Sequence, residues 1–541
     1  MKIALAQINV VIGDFEGNAR TVLQNIEEAR AAGAELIVFP ELSICGYPPQ
    51  DFLEFSDFIR RCGQTVLRVA EACRGIAAII GAPTVNPNIE GKNLFNSALL
   101  LHEGKIAGAA HKALLPTYDI FDEYRYFEPA RTFSCVEYKG LKIALTVCED
   151  IWDIEDDLMY TLSPMRVLAA EKPDIAVNIS ASPFAWDHLE KREKAVQFWS
   201  RSLNIPLIYV NYAGAQTELI FDGNSMATDA AGNICARGKA FETDLFYFDT
   251  EQSTALPYVA QEKTERIYEA LVCGIRDYFR KMGFSKAILG LSGGIDSAVT
   301  AVLAADALGA ASVQGLLMPS QYSSGHSVDD AVKLAENLGM PYETLPIRSI
   351  YESFENSLHP LFRGRSADVT EENLQSRIRG TLLMAVSNKF GSILLNTSNK
   401  SETAVGYGTL YGDMNGGLSV LGDVYKTEVY ELARFLNRNG ERIPENSILK
   451  PPSAELRPGQ KDSDSLPDYD VLDQVLYQYI ERRQGPAEII ALGFDEQLVL
   501  RILRMVNRVE FKRKQTPPIL RISQKAFGHG RRMPIVGKYL A

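Results

Sequence analysis

The sequence predicts an α/β protein built as two successive domains, and three observations carry that expectation. Short apolar, β-branched runs alternate with stretches of helical periodicity along the chain. The alternation is interrupted by one polar, aperiodic stretch, TEQSTALPYVAQEK at 250–263. At 541 residues the chain also exceeds what one hydrophobic core normally organises. Hydrophobic residues make up 46% and charged residues 23%, which excludes a wholly disordered chain.

The first half, 1–250, opens with a strand at Ile3–Val11 and a helix at Asn18–Ala32, its apolar positions being Val22, Ile26 and Ala29. Leu36–Phe39 reads as a buried strand, and Ile76–Ile80, Ala98–Leu101, Ile143–Val147, Ile175–Ile179 and Leu207–Val210 repeat it. Gly, Pro and Asn punctuate these runs, which favours strands over buried helices. After the linker at 251–263, the second half, 264–541, starts a fresh series. A helix at Thr264–Lys281 precedes a strand at Ala287–Leu291 and a helix at Asp296–Leu308. Next come strand Val313–Met318, helix Ser327–Leu338 and strand Glu343–Ile347, then a long helix at Glu371–Lys389 and strand Ile393–Asn396. Strands alternating with helices of this length imply βαβ units and a mainly parallel sheet. The stretch Leu449–Asp470 is rich in Pro, Ser and charge and reads as a functional loop.

Fifty-six basic against sixty-eight acidic residues give a net charge of −12, which disfavours a nucleic-acid partner. The seven cysteines (45, 62, 73, 135, 148, 235 and 273) form no CxxC pair, so a disulfide framework is not expected and a reducing compartment is. Gln7 and Asn9 break the N-terminal apolar run, so it does not read as a signal peptide. No stretch approaches the ~18 apolar residues of a membrane span. The expected location is the cytoplasm.

Three segments end an apolar run in a reactive side chain. LIVFPELSICGYPP carries Glu41, AHKALLPTYDIFDEYRYF carries Lys112, and LKIALTVCEDIWD carries Cys148. A thiol attacks an amide carbonyl, a carboxylate can take its proton and return it to the leaving ammonia, and an ammonium stabilises thiolate and oxyanion. Each residue also has a structural reading: a buried small hydrophobe, a helix cap and a solvated charge. Together, FPELSICGYPP, GAAHKALLP and ALTVCEDIW resemble the three signature regions of the nitrilase superfamily over about residues 1–250. That resemblance implies a four-layer αββα sandwich that hydrolyses a non-peptide C–N bond through a thioester. Glu41 would be the general base, Lys112 the stabiliser and Cys148 the nucleophile. Glutamine-dependent members carry a Tyr within LPTYxxFDExR, here Tyr118. They also carry a segment matched by SASPFAWDH, in which Ser182 fits and His188 stands where Lys is common. Tyr118, Ser182 and His188 are thereby implied as glutamine contacts.

In AILGLSGGIDSAVTAVLAADALG a strand runs into Ser292-Gly293-Gly294-Ile295-Asp296-Ser297 and then into a helix. The glycines permit close backbone approach, and the N–H groups at the helix start attract phosphate. Asp296 beside phosphate calls for a cation, hence Mg²⁺. The loop is not GxxxxGK[ST], so Walker-type transfer is not indicated. SGGIDS resembles the PP-loop of the ATP pyrophosphatases, which cleave ATP between the α and β phosphates and adenylylate an acid.

Other segments narrow the choice. ENLQSRIRG sets Asn373, Arg377 and Arg379 near a helix start. NTSNKSE presents Thr397, Lys400 and Glu402, DVYKTEVY presents Lys426, and VEFKRKQ presents Lys512, Arg513 and Lys514. Taken singly, the basic residues are equally surface charge. Together these segments resemble the NAD synthetase family over about residues 265–541. This implies a Rossmann-like parallel-sheet adenine-nucleotide α-hydrolase domain. Gly290, Leu291, Ser292, Gly293, Gly294, Ile295, Asp296, Ser297 and Thr397 would hold ATP. Asn373, Glu402 and Lys512 would contact deamido-NAD⁺, Asp296 and Glu402 would bind Mg²⁺, and Lys426 would neutralise phosphate charge. Ser398 departs from the Gly usual in the family, and Leu449–Asp470 resembles its substrate-covering loop.

The two resemblances join into one chemistry: glutamine hydrolysis supplies ammonia, which amidates adenylylated deamido-NAD⁺ to give NAD⁺, AMP and pyrophosphate. The pairing also implies an enclosed path for ammonia, and the family implies a homo-oligomer. RNA-modifying ATP pyrophosphatases would need basic surface or added thiols. GMP and asparagine synthetases carry other glutaminase motifs, and a scaffold of decayed domains would have broken motifs, whereas these are intact.

Overall fold

A computed structural model describes residues 1–88, 90–154, 159–257 and 260–540. The chain forms two compact units, Met1–Gln261 and Glu262–Ala541. Of the expected linker, Tyr258 and Val259 lie outside the described residues; its last residue, Lys263, already begins the first helix of the second unit, Lys263–Met282.

The first unit contains two six-stranded sheets. One runs in the order Asp244–Asp249, Lys2–Gln7, Leu36–Val38, Ala77–Val85, Leu94–His102, Lys105–His111. The other runs Ile234–Arg237, Met226–Thr228, Leu207–Val210, Ile175–Ile179, Leu141–Val147, Val136–Tyr138. The central strands of each pair in parallel.

Period-two alternation explains the layers. Ile3, Leu5, Leu36, Val38, Ala77 and Ile79 pack against Ile143, Leu145, Ile175, Val177 and Ile208 in one core between the sheets. The alternate residues Ala4, Ile37, Ala78 and Ile80 face Val22 and Ile26 of helix Phe15–Ala31 and Val66 and Val69 of helix Ser56–Ala72. On the far side, Ala144, Ala176 and Tyr209 face Met165 and Trp199 of helices Pro164–Ala169 and His188–Leu203. The result is the four-layer αββα sandwich. Both faces of the inner strands are covered, which is why they read as continuous apolar runs.

Two elements of this unit lie outside the expected series. Helix Ser56–Ala72, not among the expected elements, buries the regular stripe Phe58, Cys62, Val66 and Val69 and leaves Arg60, Arg61 and Gly63 on its exposed face. Strand Lys105–His111 is a half-exposed edge strand poor in β-branched residues.

The second unit holds a five-stranded, all-parallel sheet in the order Tyr342–Thr344, Val313–Leu317, Ala287–Gly290, Ile393–Asn396, Leu418–Ser419. Strand order reverses between Ala287–Gly290 and Ile393–Asn396, the switch point at which such sheets bind ligands beyond their carboxyl ends. The expected strand at 343–347 is corrected to Tyr342–Thr344, because Pro346 has no N–H to continue the ladder. Helices Tyr469–Ile480, Pro486–Ala491 and Glu496–Arg508 form a core of their own around Leu472, Leu476, Val499 and Leu503. Among the described residues no helix is long and apolar enough to cross a membrane.

Two candidate active sites

In the first unit the carboxyl ends of the two sheets converge. Glu41 follows strand Leu36–Val38, Lys112 follows Lys105–His111, and Cys148 follows Leu141–Val147 on the opposing sheet. Glu41 and Lys112 are fully buried and Cys148 nearly so. The Lys112 Nζ donates to Glu41 Oε1 at 2.8 Å and to Glu123 Oε1 at 2.8 Å. Asn96 Nδ2 also donates to Glu41 Oε1 (2.7 Å), and the Ala181 N–H holds the other oxygen of Glu41 at 2.9 Å. The Glu41 carboxylate is thereby fixed from three directions. Gly81 makes room for it, since a Cβ there would lie 2.1 Å from the Leu42 nitrogen and 2.7 Å from the Glu41 Cα.

Cys148 takes a left-handed backbone conformation (φ 46°) as the strand turns into the short helix Cys148–Ile151. A non-glycine residue held there stores strain, a recurrent feature of functional sites. Asp150 pins this turn. Its Oδ2 accepts the Val147 N–H (3.0 Å), and its Oδ1 accepts the N–H groups of Ala113 and Leu114, which follow Lys112. One carboxylate thus sets the Cys148 turn against the lysine segment.

Electrostatics complete the trio. Burial, reinforced by the charge on Glu41 and only partly offset by Lys112, raises the Cys148 thiol well above its ordinary value, so it rests protonated. Burial alone would neutralise Lys112, but Glu123 and Glu41 reverse this and keep it charged. Burial also pushes Glu123 up to about 7, against the pull of Lys112 and with the help of Glu41. Tyr47 donates to the same carboxylate at 3.0 Å. Sequence reasoning alone does not single out Glu123 and Asp150, although both lie within the quoted segments FDEYR and CEDIW.

The implied glutamine contacts are placed as follows. Tyr118 donates its hydroxyl to Glu149 Oε1 at 2.8 Å. Ser182 is buried, with its backbone bonded in both directions to Asn211 (2.9 and 3.0 Å). His188 is the first residue of helix His188–Leu203; it stacks on Trp152 at 5.3 Å, and its Nδ1 lies 3.1 Å from the Pro183 carbonyl oxygen.

In the second unit, strand Ala287–Gly290 passes through Leu291–Gly294 into helix Ile295–Leu308. Gly293 has φ 77°, and a Cβ there would stand 2.1 Å from the Ser327 carbonyl oxygen. Side chains shape the loop: Ser292 Oγ accepts the Gly294 N–H (3.1 Å), and Ser297 Oγ donates to the Gly294 carbonyl (3.0 Å). Thr397 lies just past strand Ile393–Asn396, across the switch point from this loop.

Asp296 accepts from Asn399 Nδ2 (2.9 Å) and from Lys426 Nζ (2.5 Å), and the same ammonium lies 3.6 Å from Glu402. Burial and the neighbouring Asp296 raise Glu402 to about 8, although Lys426 opposes them. Asp296 and Glu402 are therefore two oxygen donors whose charges one lysine only partly balances. No larger cluster of metal-ligating side chains occurs among the described residues. One or two carboxylates completed by phosphate oxygens and water is how Mg²⁺ is usually held, so the donor set fits that ion.

Asn373 accepts from Thr409 Oγ1 (2.6 Å), and Lys512 Nζ donates to the carbonyls of Gly406 (2.9 Å) and Gly408 (2.8 Å). Both therefore hold the loop that follows helix Lys400–Val405, beside a small cleft lined by Ser398, Glu402, Tyr407 and Thr516. Lys400 is turned away, buried between Asp423 and Glu481 at 2.8 Å each. Arg377 and Arg379 bond backbone carbonyls, of Leu410 and Met318. Segment 449–470 is tied down at several points: Glu455 accepts from Ser324 and Ser327 Oγ, Asp462 from Tyr407 and Tyr469, and the Leu456 carbonyl from Gln375.

A buried Cys–Glu–Lys site in an αββα unit, joined to a PP-loop unit, defines a chain that couples a carbon–nitrogen hydrolase to an NAD synthase. The carbon-nitrogen hydrolase model matches residues 2–257 and the NAD synthase model residues 267–516. The glutamine-dependent NAD(+) synthetase of Synechocystis sp. is 47% identical over 98% of each chain, and that of Acinetobacter baylyi is 44% identical over 99% of this chain and 98% of its own. The solved Acinetobacter baumannii glutamine-dependent NAD+ synthetase in complex with ADP superposes with a TM-score of 0.79 at 39% identity, covering 99% of this chain and 98% of that one. The chain belongs to the glutamine-dependent NAD(+) synthetase family.

Proposed function

We propose that the chain forms NAD⁺ from deamido-NAD⁺, ATP and glutamine, and that the residues described above carry the two half-reactions. One observation carries this reading. A single chain pairs a resting thiol, held against the Glu41–Lys112 ion pair, with a PP-loop whose Asp296 shares Lys426 with Glu402.

In the first half-reaction the Cys148 sulfur attacks the glutamine side-chain carbonyl as Glu41 takes the thiol proton. Lys112 faces the developing oxyanion. Glu41 returns the proton to the leaving ammonia, then activates the water that cleaves the thioester, and glutamate leaves. In the second, the N–H groups of the 292–297 loop and the start of helix Ile295–Leu308 receive ATP phosphates. The deamido-NAD⁺ carboxylate attacks the α-phosphorus, pyrophosphate leaves, and ammonia displaces AMP from the acyl adenylate. Asp296 and Glu402 would hold Mg²⁺, which would neutralise phosphate charge there. Lys426 balances the same two carboxylates from the protein side. Thr397 would contact ATP, Asn373 and Lys512 deamido-NAD⁺, and Ser182 and His188 glutamine. We further propose a cytoplasmic homo-oligomer.

Product analysis tests this. With ATP, Mg²⁺ and deamido-NAD⁺, both glutamine and ammonium should yield NAD⁺ and AMP, and Cys148→Ala should retain only the ammonium reaction. AMP without NAD⁺ from either nitrogen source would refute the assigned substrate.

A further inference from the structure

Asp296 lies in the first turn of helix Ile295–Leu308 and Glu402 in helix Lys400–Val405, so the two carboxylates come from opposite sides of the switch point. Two residues bridge them. Lys426 Nζ meets Asp296 Oδ2 (2.5 Å) and Glu402 Oε1 (3.6 Å). Asn399 takes the other oxygen of each. Its Nδ2 donates to Asp296 Oδ1 at 2.9 Å, from 103 positions away in the chain, and its backbone N–H donates to Glu402 Oε2 at 3.4 Å. Asn399 is fully buried and is also the N-cap of helix Lys400–Val405, where its Oδ1 accepts the Glu402 N–H at 2.9 Å. Both ends of one amide are thus committed. The N–H requires an acceptor and the carboxylate requires a donor, and an amide carries one of each on separate arms. Capping alone would be met by Ser, Thr or Asp. Ser and Thr lack the second arm, and ionised Asp has no donor.

We propose that Asn399 is a positioning residue that holds Asp296 and Glu402 together as one binding pair for Mg²⁺. This rests on the reading of those two carboxylates as the Mg²⁺ donors. Lys426 bridges the same pair, but its positive charge competes with a cation for the same oxygens. Asn399 is neutral, so it fixes the carboxylates without lowering their attraction for the metal. Groups that orient metal donors from behind in this way typically set metal affinity by about 10–100-fold.

The experiment titrates ATP into the full-length protein by calorimetry, once with Mg²⁺ and once with EDTA. Deamido-NAD⁺ is left out so that no acyl adenylate forms. Wild type should bind ATP more tightly with Mg²⁺. Asn399→Ser keeps a capping side chain but loses the arm to Asp296. It should cut the Mg²⁺-dependent gain in ATP affinity about tenfold and leave binding in EDTA within about twofold of wild type. Asn399→Thr should do the same, and it carries the comparison if Asn399→Ser does not fold. An unchanged gain overturns the proposal. So does an equal loss with and without Mg²⁺, which is the mark of a helix cap alone. Wild-type ATP binding that ignores Mg²⁺ would overturn the Mg²⁺ reading itself, and this proposal with it.

Discussion

Gly81→Ala tests how tightly the first site is built. The added Cβ would sit 2.1 Å from the Leu42 nitrogen, 2.6 Å from the Glu41 carbonyl carbon and 2.7 Å from its Cα. All three are backbone atoms, so no side-chain rotation relieves the clash. Ordinary contact begins near 3.4 Å, so the Glu41 segment or strand Ala77–Val85 must move by about 1 Å. Overpacking of this kind costs roughly 1–3 kcal/mol of stability. The larger effect falls on chemistry: displacing a catalytic group by about 1 Å costs roughly a hundredfold in rate. Glutamine-dependent NAD⁺ formation should therefore fall about a hundredfold, while the ammonium-dependent reaction, which bypasses this site, changes little. Parallel steady-state assays with the two nitrogen sources read the ratio directly. A glutamine-dependent rate within about twofold of wild type would show that Glu41 tolerates the shift, and the argument from close packing would fail.

Gly293→Ala should abolish NAD⁺ formation from both nitrogen sources, since the Cβ meets the Ser327 carbonyl oxygen at 2.1 Å and φ is 77°; loss of nucleotide binding by titration calorimetry checks it. Lys112→Met should destabilise the first unit by about 3–5 kcal/mol, because it leaves Glu41 and Glu123 buried without a cation; denaturant unfolding measures this, and glutaminase activity should vanish. Glu123, raised to about 7, binds a proton below that pH and is ionised above it. Its raised value contributes stability that is fully present below the ordinary carboxylate range and is lost as pH rises through about 7. Glutaminase kcat/KM should show a limb with an apparent pKa near 7 belonging to the coupled carboxylates, and Glu123→Gln should shift or remove it.

Much of this protein is legible from local pattern. The strands that feed Glu41, Cys148 and the 292–297 loop are short, apolar and β-branched, and each ends at a glycine-, proline- or charge-bearing turn. The order of elements and the chemistry at their ends can thus be read in one dimension. Hydropathy alone overextends the strand at 343–347 because it does not register the ladder ending at Pro346. Convergence is another matter. Asn96 reaches Glu41 from 55 positions away and Glu123 from 27 positions beyond Asn96, and Asp150 joins the nucleophile turn to Ala113 and Leu114. Nor does spacing reveal that Lys426 sits between Asp296 and Glu402. Residue type records what a group can do; the charge it carries and the partner it meets depend on burial and on distances across the fold. Coulombic and desolvation energies act through space rather than along the chain, so the balance at Lys112, Glu123 and Glu402 is decided only once the sheets and helices around them have packed.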